Sequence, residues 1–362
     1  MDENTICIDL GSFFTTAFVY NKARGLKQIL HLQQTRTLTI LAESAKSDDY
    51  DEPTLGRPTL FLPTENTKFS GFYRPKLLNG TVSDKEKKHL SKFLKQWYKK
   101  GLEYLNADKI DKIIITLPPH KNYHIAENLL NEIWAMNKDI SECKISTITD
   151  TLSAGYAELS LNNELKGNKI ICIALFGACY FSISILHING SQIKEIKTEC
   201  REIGGGQLCK KLFIEGQRNR ENIEYDVPWE KVDHCFGRDI RTNLQSLVDA
   251  TQTSYLSKDS NHISFVTRFP LENVEWKCNK GYNFYIDNWA KEIDSAIDDL
   301  LHNYDDKIDM VFIGGGMGMT YFLLEHIERH PAFFNAEVYN LQNTIESCGI
   351  GGAVLQDIYK SS

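Results

Sequence analysis

Twice in this chain an apolar strand runs into a glycine-bearing turn and a second strand comes back out of it. Residues 4–20 read NTICIDLGSFFTTAFVY, with Ile6, Ile8 and Leu10 alternating before Gly11. Residues 169–188 repeat the pattern: KIICIAL and YFSISILHI flank Phe176-Gly177-Ala178-Cys179, which reads as a hairpin. Each half then reaches a strand–helix unit. The first is a strand at 112–117 (KIIITL), stopped by Pro118-Pro119, with a helix over about 122–137. The second is a buried strand at 309–313 (DMVFI) with a helix over 319–329. No shorter repeat, of about 20–50 residues, is present. The pattern predicts a duplicated α/β architecture with a cleft between two lobes.

The other elements follow from periodicity and punctuation. A helix is expected over 83–105, where Ser83 and Glu86 form a capping box and Leu90, Phe93, Leu94, Trp97 and Leu105 share a face. Its lysines (85, 87, 88, 92, 95, 99 and 100) read as a solvated face rather than a membrane or calmodulin-type surface. Strands are expected at 27–41, 59–62, 68–72, 144–149, 191–200, 261–267 and 280–284, and helices at 151–163, 207–214, 239–256, 286–304 and 346–359. Segments 44–56 and 216–240 read as polar loops.

Charge and cysteine content narrow the function class. With 41 basic and 48 acidic side chains the chain carries a net −7, which disfavours nucleic acid as a partner. No apolar run approaches the roughly 18 residues of a membrane span. The opening MDENTICIDL lacks the basic region of a secretory signal. Nine cysteines without a CxxC pair then argue against zinc and for reduced thiols, so a cytoplasmic location is expected. His120, His124, His187, His234, His302 and His330 show no metal spacing. Cys179 could be a reactive thiol or a packed one, and Tyr180 and Phe181 read as core or cleft-filling residues.

Three glycine turns carry the chemistry. In Asp9-Leu10-Gly11-Ser12-Phe13-Phe14-Thr15 a carboxylate at a strand end can hold a metal through water. The backbone N–H groups and hydroxyls after it can cradle phosphate, although an ordinary hairpin turn looks the same. Gly204-Gly205-Gly206 opens a helix, where free N–H groups attract anions. Gly314-Gly315-Gly316-Met317-Gly318 joins a buried strand to a helix and lets a ligand approach the backbone. It lacks the spacing of a Walker A loop.

Taken in order, these segments resemble the ATPase domain of the 70-kDa heat-shock chaperones (DnaK type) within the actin-like ATPase superfamily. ICIDLGSFFTTAFV at 6–19 looks like the first phosphate loop, and DKIIITLPPHKN at 111–122 like the strand-then-proline segment. STITDTLSAGYAEL at 146–159 is similar to the first connecting helix, and EIGGGQLCKKL at 202–212 to the glycine turn after the second phosphate hairpin. DMVFIGGGMGMTYFLLEHI at 309–327 looks like the adenosine motif. ESCGIGGAVLQ at 346–356 looks like the second connecting helix, where Gly349, Gly351 and Gly352 permit close contact. The resemblance implies a two-lobed fold of duplicated ribonuclease-H-like domains, with lobe I at 1–160 plus the C-terminal helix 346–362 and lobe II at 161–345. It implies ATP or ADP with Mg²⁺ in the cleft. Asp9 and Asp150 would be the catalytic and Mg²⁺-positioning acids, acting through water. Gly11, Ser12, Phe13, Phe14, Gly177, Gly204, Gly205, Gly206, Ser257, Gly314, Gly315, Gly316 and Met317 would line the nucleotide.

The departures fall on the chemistry. Leu175 and Ser182 stand where the second loop of the family carries acids, and no Asp or Glu occurs between Gly167 and Lys194. Phe13 replaces a hydroxyl, and the charged clamp on the adenine side, before Ser257, is missing. Between Gly71 and the helix at 83 lies only FYRPKLLNGTVSD, as short as in bacterial actin-like proteins such as MreB, with Lys76 as a candidate for reaching phosphate. The β-rich substrate-binding domain of a full chaperone is not expected to follow residue 362. The expectation is an adenine-nucleotide-binding switch with weakened or absent hydrolysis, working with a protein partner. The alternatives are a pseudo-ATPase scaffold that binds no nucleotide and an actin-like filament former.

Overall fold

A computed structural model describes residues 3–12, 14–30, 37–44, 54–55, 67–71, 73–140, 142–205, 264–269, 272–277, 282–316, 318, 321–344 and 346–360. The first sheet begins with strands β1 (Thr5–Leu10), β2 (Phe14–Asn21) and β3 (Gly25–Gln28). Short strands β4 (Thr37–Leu38), β5 (Ile40–Ser44), β6 (Thr54–Leu55) and β7 (Thr67–Gly71) follow. Of these, β4 pairs with β2, and β5, β6 and β7 form a small sheet of their own. Strands β8 (Lys112–Leu117) and β9 (Lys144–Thr149) complete the first sheet in the order β3-β2-β1-β8-β9.

The second sheet has the same plan. Strands β10 (Asn168–Phe176), β11 (Phe181–Asn189) and β12 (Gln192–Arg201) are joined by β15 (Met310–Gly314) and β16 (Glu337–Asn340) in the order β12-β11-β10-β15-β16. Between them in sequence, β13 (Ser264–Phe269) and β14 (Glu272–Lys277) make a separate hairpin. In both sheets the first three strands run antiparallel and the last two join in parallel. The duplication expected from the two hairpins is therefore present in the strand order. The central strands explain it locally: β1 and β10 are near-continuous apolar runs, as a strand covered on both faces must be.

Seven α-helices lie among the described residues, and they sort into layers. Helices α1 (Tyr73–Asn79), α2 (Asp84–Leu105) and α3 (Tyr123–Ala135) cover the outer face of the first sheet in a cluster that includes Ile6, Ile8, Leu77, Phe93, Trp97 and Ile133. The capping box of α2 forms as read, and Asn106 ends the helix in the left-handed conformation. Helix α4 (Asp150–Leu161) comes next in the chain, before the second sheet. Helices α5 (Tyr282–Leu301) and α6 (Tyr321–Glu328) cover the outer face of that sheet around Phe176, Phe181, Trp289 and Ile293. Helix α7 (Ser347–Lys360) closes the described chain.

A third cluster fills the middle. It joins Cys7, Ile114 and Ile148 of the first sheet to Ile171, Ile173, Leu186 and Phe312 of the second, with α4 and α7 between them. The two helices cross closely because their facing residues are small. A Cβ on Gly351 would fall 1.6 Å from the Ser153 carbonyl oxygen, and one on Gly352 would fall 2.4 Å from Cys7 Sγ. The expected close helix contact is met at Gly351, whereas Gly349 packs against Phe18 of β2 and Gly352 mainly against Cys7 of β1.

Several boundaries differ from the sequence reading. The stretch 280–284 enters α5, which starts at Tyr282, rather than forming a strand; in the sequence Tyr285, Trp289 and Ile293 recur at helical spacing. The acidic segment 44–56 contains β6 and the last residue of β5. The expected helices at 207–214 and 239–256, the strand at 59–62 and the loop at 216–240 lie outside the described residues.

Candidate functional site

The ends of the parallel strands in the first sheet bring Asp9 and Asp150 together. Asp9 sits near the end of β1, opposite Thr116 in the ladder with β8. Asp150 is the first residue of α4, directly after β9, where Thr149 caps the helix by accepting from Leu152 N. Between the two carboxylates lies the guanidinium of Arg74, supplied by α1. It donates from Nε to the Leu10 carbonyl at 2.7 Å and from NH2 to Asp9 Oδ1 at 2.7 Å. It also reaches Asp150 Oδ2 from NH1 at 3.4 Å, and the Thr116 carbonyl and hydroxyl at 3.3 and 3.4 Å. The Thr116 hydroxyl donates to Asp9 Oδ1 at 2.6 Å, so this carboxylate oxygen has two donors.

Arg74 and Asp150 are buried, at 8% and 5% exposure, and the Asp9 carboxylate is partly open at 15% exposure. Burial opposes the charge on Arg74, but Asp9 and Asp150 outweigh it and raise its pKa. Burial also pushes Asp150 up to about 7, against the opposing pull of Arg74. Asp150 Oδ1 has no hydrogen-bond partner among the described residues.

This donor set suits a guanidinium and does not suit Mg²⁺. A planar fork with several donors matches carboxylates and carbonyls set around it, whereas Mg²⁺ needs near-octahedral oxygens and usually keeps its own waters. An ion placed between Asp9 and Asp150 would meet a buried positive charge already paired with both. Among the described residues no group of three or more His, Cys, Asp or Glu side chains stands in a metal-holding arrangement. The most prominent His–Asp cluster has His326 Nε2 at 2.7 Å from Asp294 Oδ1, with His330 beside Asp294 and Asp298, and it ties α6 to α5.

The glycine turns are folded onto themselves. Gly11 N donates to the Asp9 carbonyl at 3.0 Å and Gly177 N to the Tyr180 carbonyl at 2.9 Å. Gly204 N donates to the Cys179 carbonyl at 3.0 Å and Gly205 N to the Gly177 carbonyl at 2.8 Å. Gly315, with φ +84°, donates to the Thr344 carbonyl at 2.7 Å. These five N–H groups therefore face internal acceptors. Gly204 is also tightly enclosed, since a Cβ there would lie 2.6 Å from Tyr180 N.

The second hairpin is apolar where the resemblance calls for acids. Leu175 is buried in the middle cluster, and Ser182 donates to Cys200 Sγ at 3.8 Å. Phe176 and Phe181 stack at 4.5 Å. Tyr180, at the hairpin tip and 3% exposed, belongs to the apolar cluster of the first sheet. Its ring lies 5.9 Å from that of His120, and its hydroxyl donates to Glu202 at 3.4 Å. Burial raises its pKa.

Of the remaining expected site residues, Ser12 is buried, Phe14 opens β2, and Gly314 and Gly316 lie at and after the end of β15. Phe13, Gly206, Ser257 and Met317 lie outside the described residues. Lys76 does not turn toward Asp9 and Asp150; it pairs with Glu86 at the start of α2. Arg74 and Glu195 are the residues that sequence reasoning missed. Glu195 is held by the hydroxyls of Thr149 and Thr151. No family model matches the chain, and no curated protein matches it.

Proposed function

We propose that the chain is a two-lobed, actin-like domain of the DnaK type, made of two ribonuclease-H-like halves, and that it acts as a protein-interaction scaffold without nucleotide-driven chemistry. The repeated strand order and the two helices crossing between the sheets support the fold assignment. The single observation that carries the function is Arg74, bonded to both Asp9 and Asp150. A protein-supplied cation stands where a nucleotide-bound metal would be needed, and phosphoryl transfer depends on that metal to neutralise charge. The engaged N–H groups of Gly11, Gly177, Gly204, Gly205 and Gly315 point the same way, since a phosphate cradle needs free donors.

Titration calorimetry with ADP and ATP, with and without Mg²⁺, tests this reading. No heat at millimolar nucleotide is expected. Mg²⁺-dependent binding that weakens in Asp9→Ala would instead establish a nucleotide-controlled switch, with Arg74 displaced when ligand enters. The scaffold reading would then be wrong.

A further inference from the structure

Besides the apolar middle cluster, polar side chains join the second sheet to the end of the first. Glu195 lies on β12 of the second sheet, in register with Leu186 of β11. One residue later the ladder slips, and Lys197 rather than Ile196 faces Ile185. This bulge divides the strand into two faces. Ile193 and Glu195 face the middle layer, beside Leu186, whereas Lys197 and Arg201 face the outer side, where Arg201 pairs with Asp299 of α5.

Facing inward, the Glu195 carboxylate meets the end of the first sheet. Thr149, the last residue of β9, has its hydroxyl at 3.0 and 3.2 Å from the two carboxylate oxygens. Thr151 on α4 donates at 3.0 Å, and its hydroxyl is 2.7 Å from that of Ser184 on β11. The carboxylate therefore sits at the positive end of α4 and bonds to both ends of the joint. Tyr180 makes a second bridge, with its side chain in the apolar cluster of the first sheet.

We infer that Glu195 is a latch that holds the two lobes closed without any ligand, with Tyr180 as the apolar wedge beside it. A carboxylate with several hydroxyl donors in a half-buried layer is costly to separate, because each group would have to be resolvated while the lobes part. Closure is then a built-in state of the chain, set by contacts between the sheets. It does not depend on what occupies the Asp9–Arg74–Asp150 group.

Hydrogen–deuterium exchange on the full chain, with no nucleotide present, tests the latch. Glu195→Ala and Thr151→Val should each speed exchange about tenfold or more in residues 144–161 and 181–189 together, as one local opening unit. The segment 84–105 should not change, and small-angle scattering should give a larger radius of gyration. Glu195→Gln keeps the shape and one acceptor oxygen, so it should give a smaller rise in the same segments, and it decides the matter if the alanine variant does not fold. No rise, or an equal rise in all segments, overturns the latch. Such a failure leaves the reading of Arg74 untouched, because that reading rests on nucleotide titration.

Discussion

Replacing Arg74 by alanine removes the only charge shown, among the described residues, between the buried Asp150 carboxylate and the partly buried one of Asp9. The Leu10 carbonyl loses a donor at 2.7 Å, and Asp9 loses one at the same distance. Asp9 and Asp150 then face each other in a mostly buried space. Breaking a buried ion pair from one side costs about 3–5 kcal/mol, mostly through the charge left behind. A chain of 362 residues has an unfolding entropy of roughly 0.8 kcal/mol/K near the midpoint, so the midpoint should fall by about 4–7 °C. The loss depends on pH. Asp150, already raised to about 7, can take up a proton and relieve the repulsion, so the drop should be smaller at about pH 6 than at about pH 8. Arg74→Lys keeps the charge but not the fork, and should fall between wild type and alanine. Thermal melts of the three proteins at both pH values measure this. An alanine variant that melts within about 1 °C of wild type at pH 8 would refute the reasoning, because the guanidinium would then not be holding the acids together.

Other substitutions probe separate parts of the account. Gly351→Ala places a methyl group 1.6 Å from the Ser153 carbonyl, so α4 and α7 must separate; a loss of about 3 kcal/mol or more, or failure to fold, is expected in urea melts. Wild-type stability should fall as pH rises from about 4 to 7. In that window the native state holds the Asp150 proton that the unfolded chain has released, and above it the curve should flatten. Asp150→Asn should reduce this slope by up to about 1.4 kcal/mol per pH unit, leaving the part set by Glu158 and Glu195, whose carboxyls burial also raises; a slope of opposite sign in wild-type urea midpoints would contradict the burial argument. Leu175→Asp, which places an acid in the second hairpin, should yield no phosphate release from ATP, since Arg74 remains in place.

Local order was legible in the sequence and long-range pairing was not. Strands 112–117 and 144–149 were read to the residue, because each is a short apolar or β-branched run between clear breakers. The capping box at Ser83 and Glu86 and the hairpin around Gly177 depend on spacings of a few residues, and both formed. The glycines of α7 could be read as a close-contact face because the reason for small residues is steric and local. Arg74 carries no such signature. It lies 65 residues from Asp9 and 76 from Asp150, in a segment that reads as a short connection, and only the packing of α1 on the first sheet brings it to the acids. Lys76, two residues on, has the same charge and the wrong direction. Glu195 was equally hidden. Alternation from Ile193 gives its inward face, but its partners Thr149 and Thr151 lie 46 and 44 residues away in another sheet and helix, and no local spacing reveals that pairing.

The most direct test of the central claim is a crystal structure grown in excess Mg²⁺ and ATP. The account predicts the Arg74 guanidinium between Asp9 and Asp150, still bonded to the Leu10 carbonyl, with no metal density on either acid. A Mg²⁺ ion held by Asp9 and Asp150, with Arg74 turned away and nucleotide in the cleft, would contradict it.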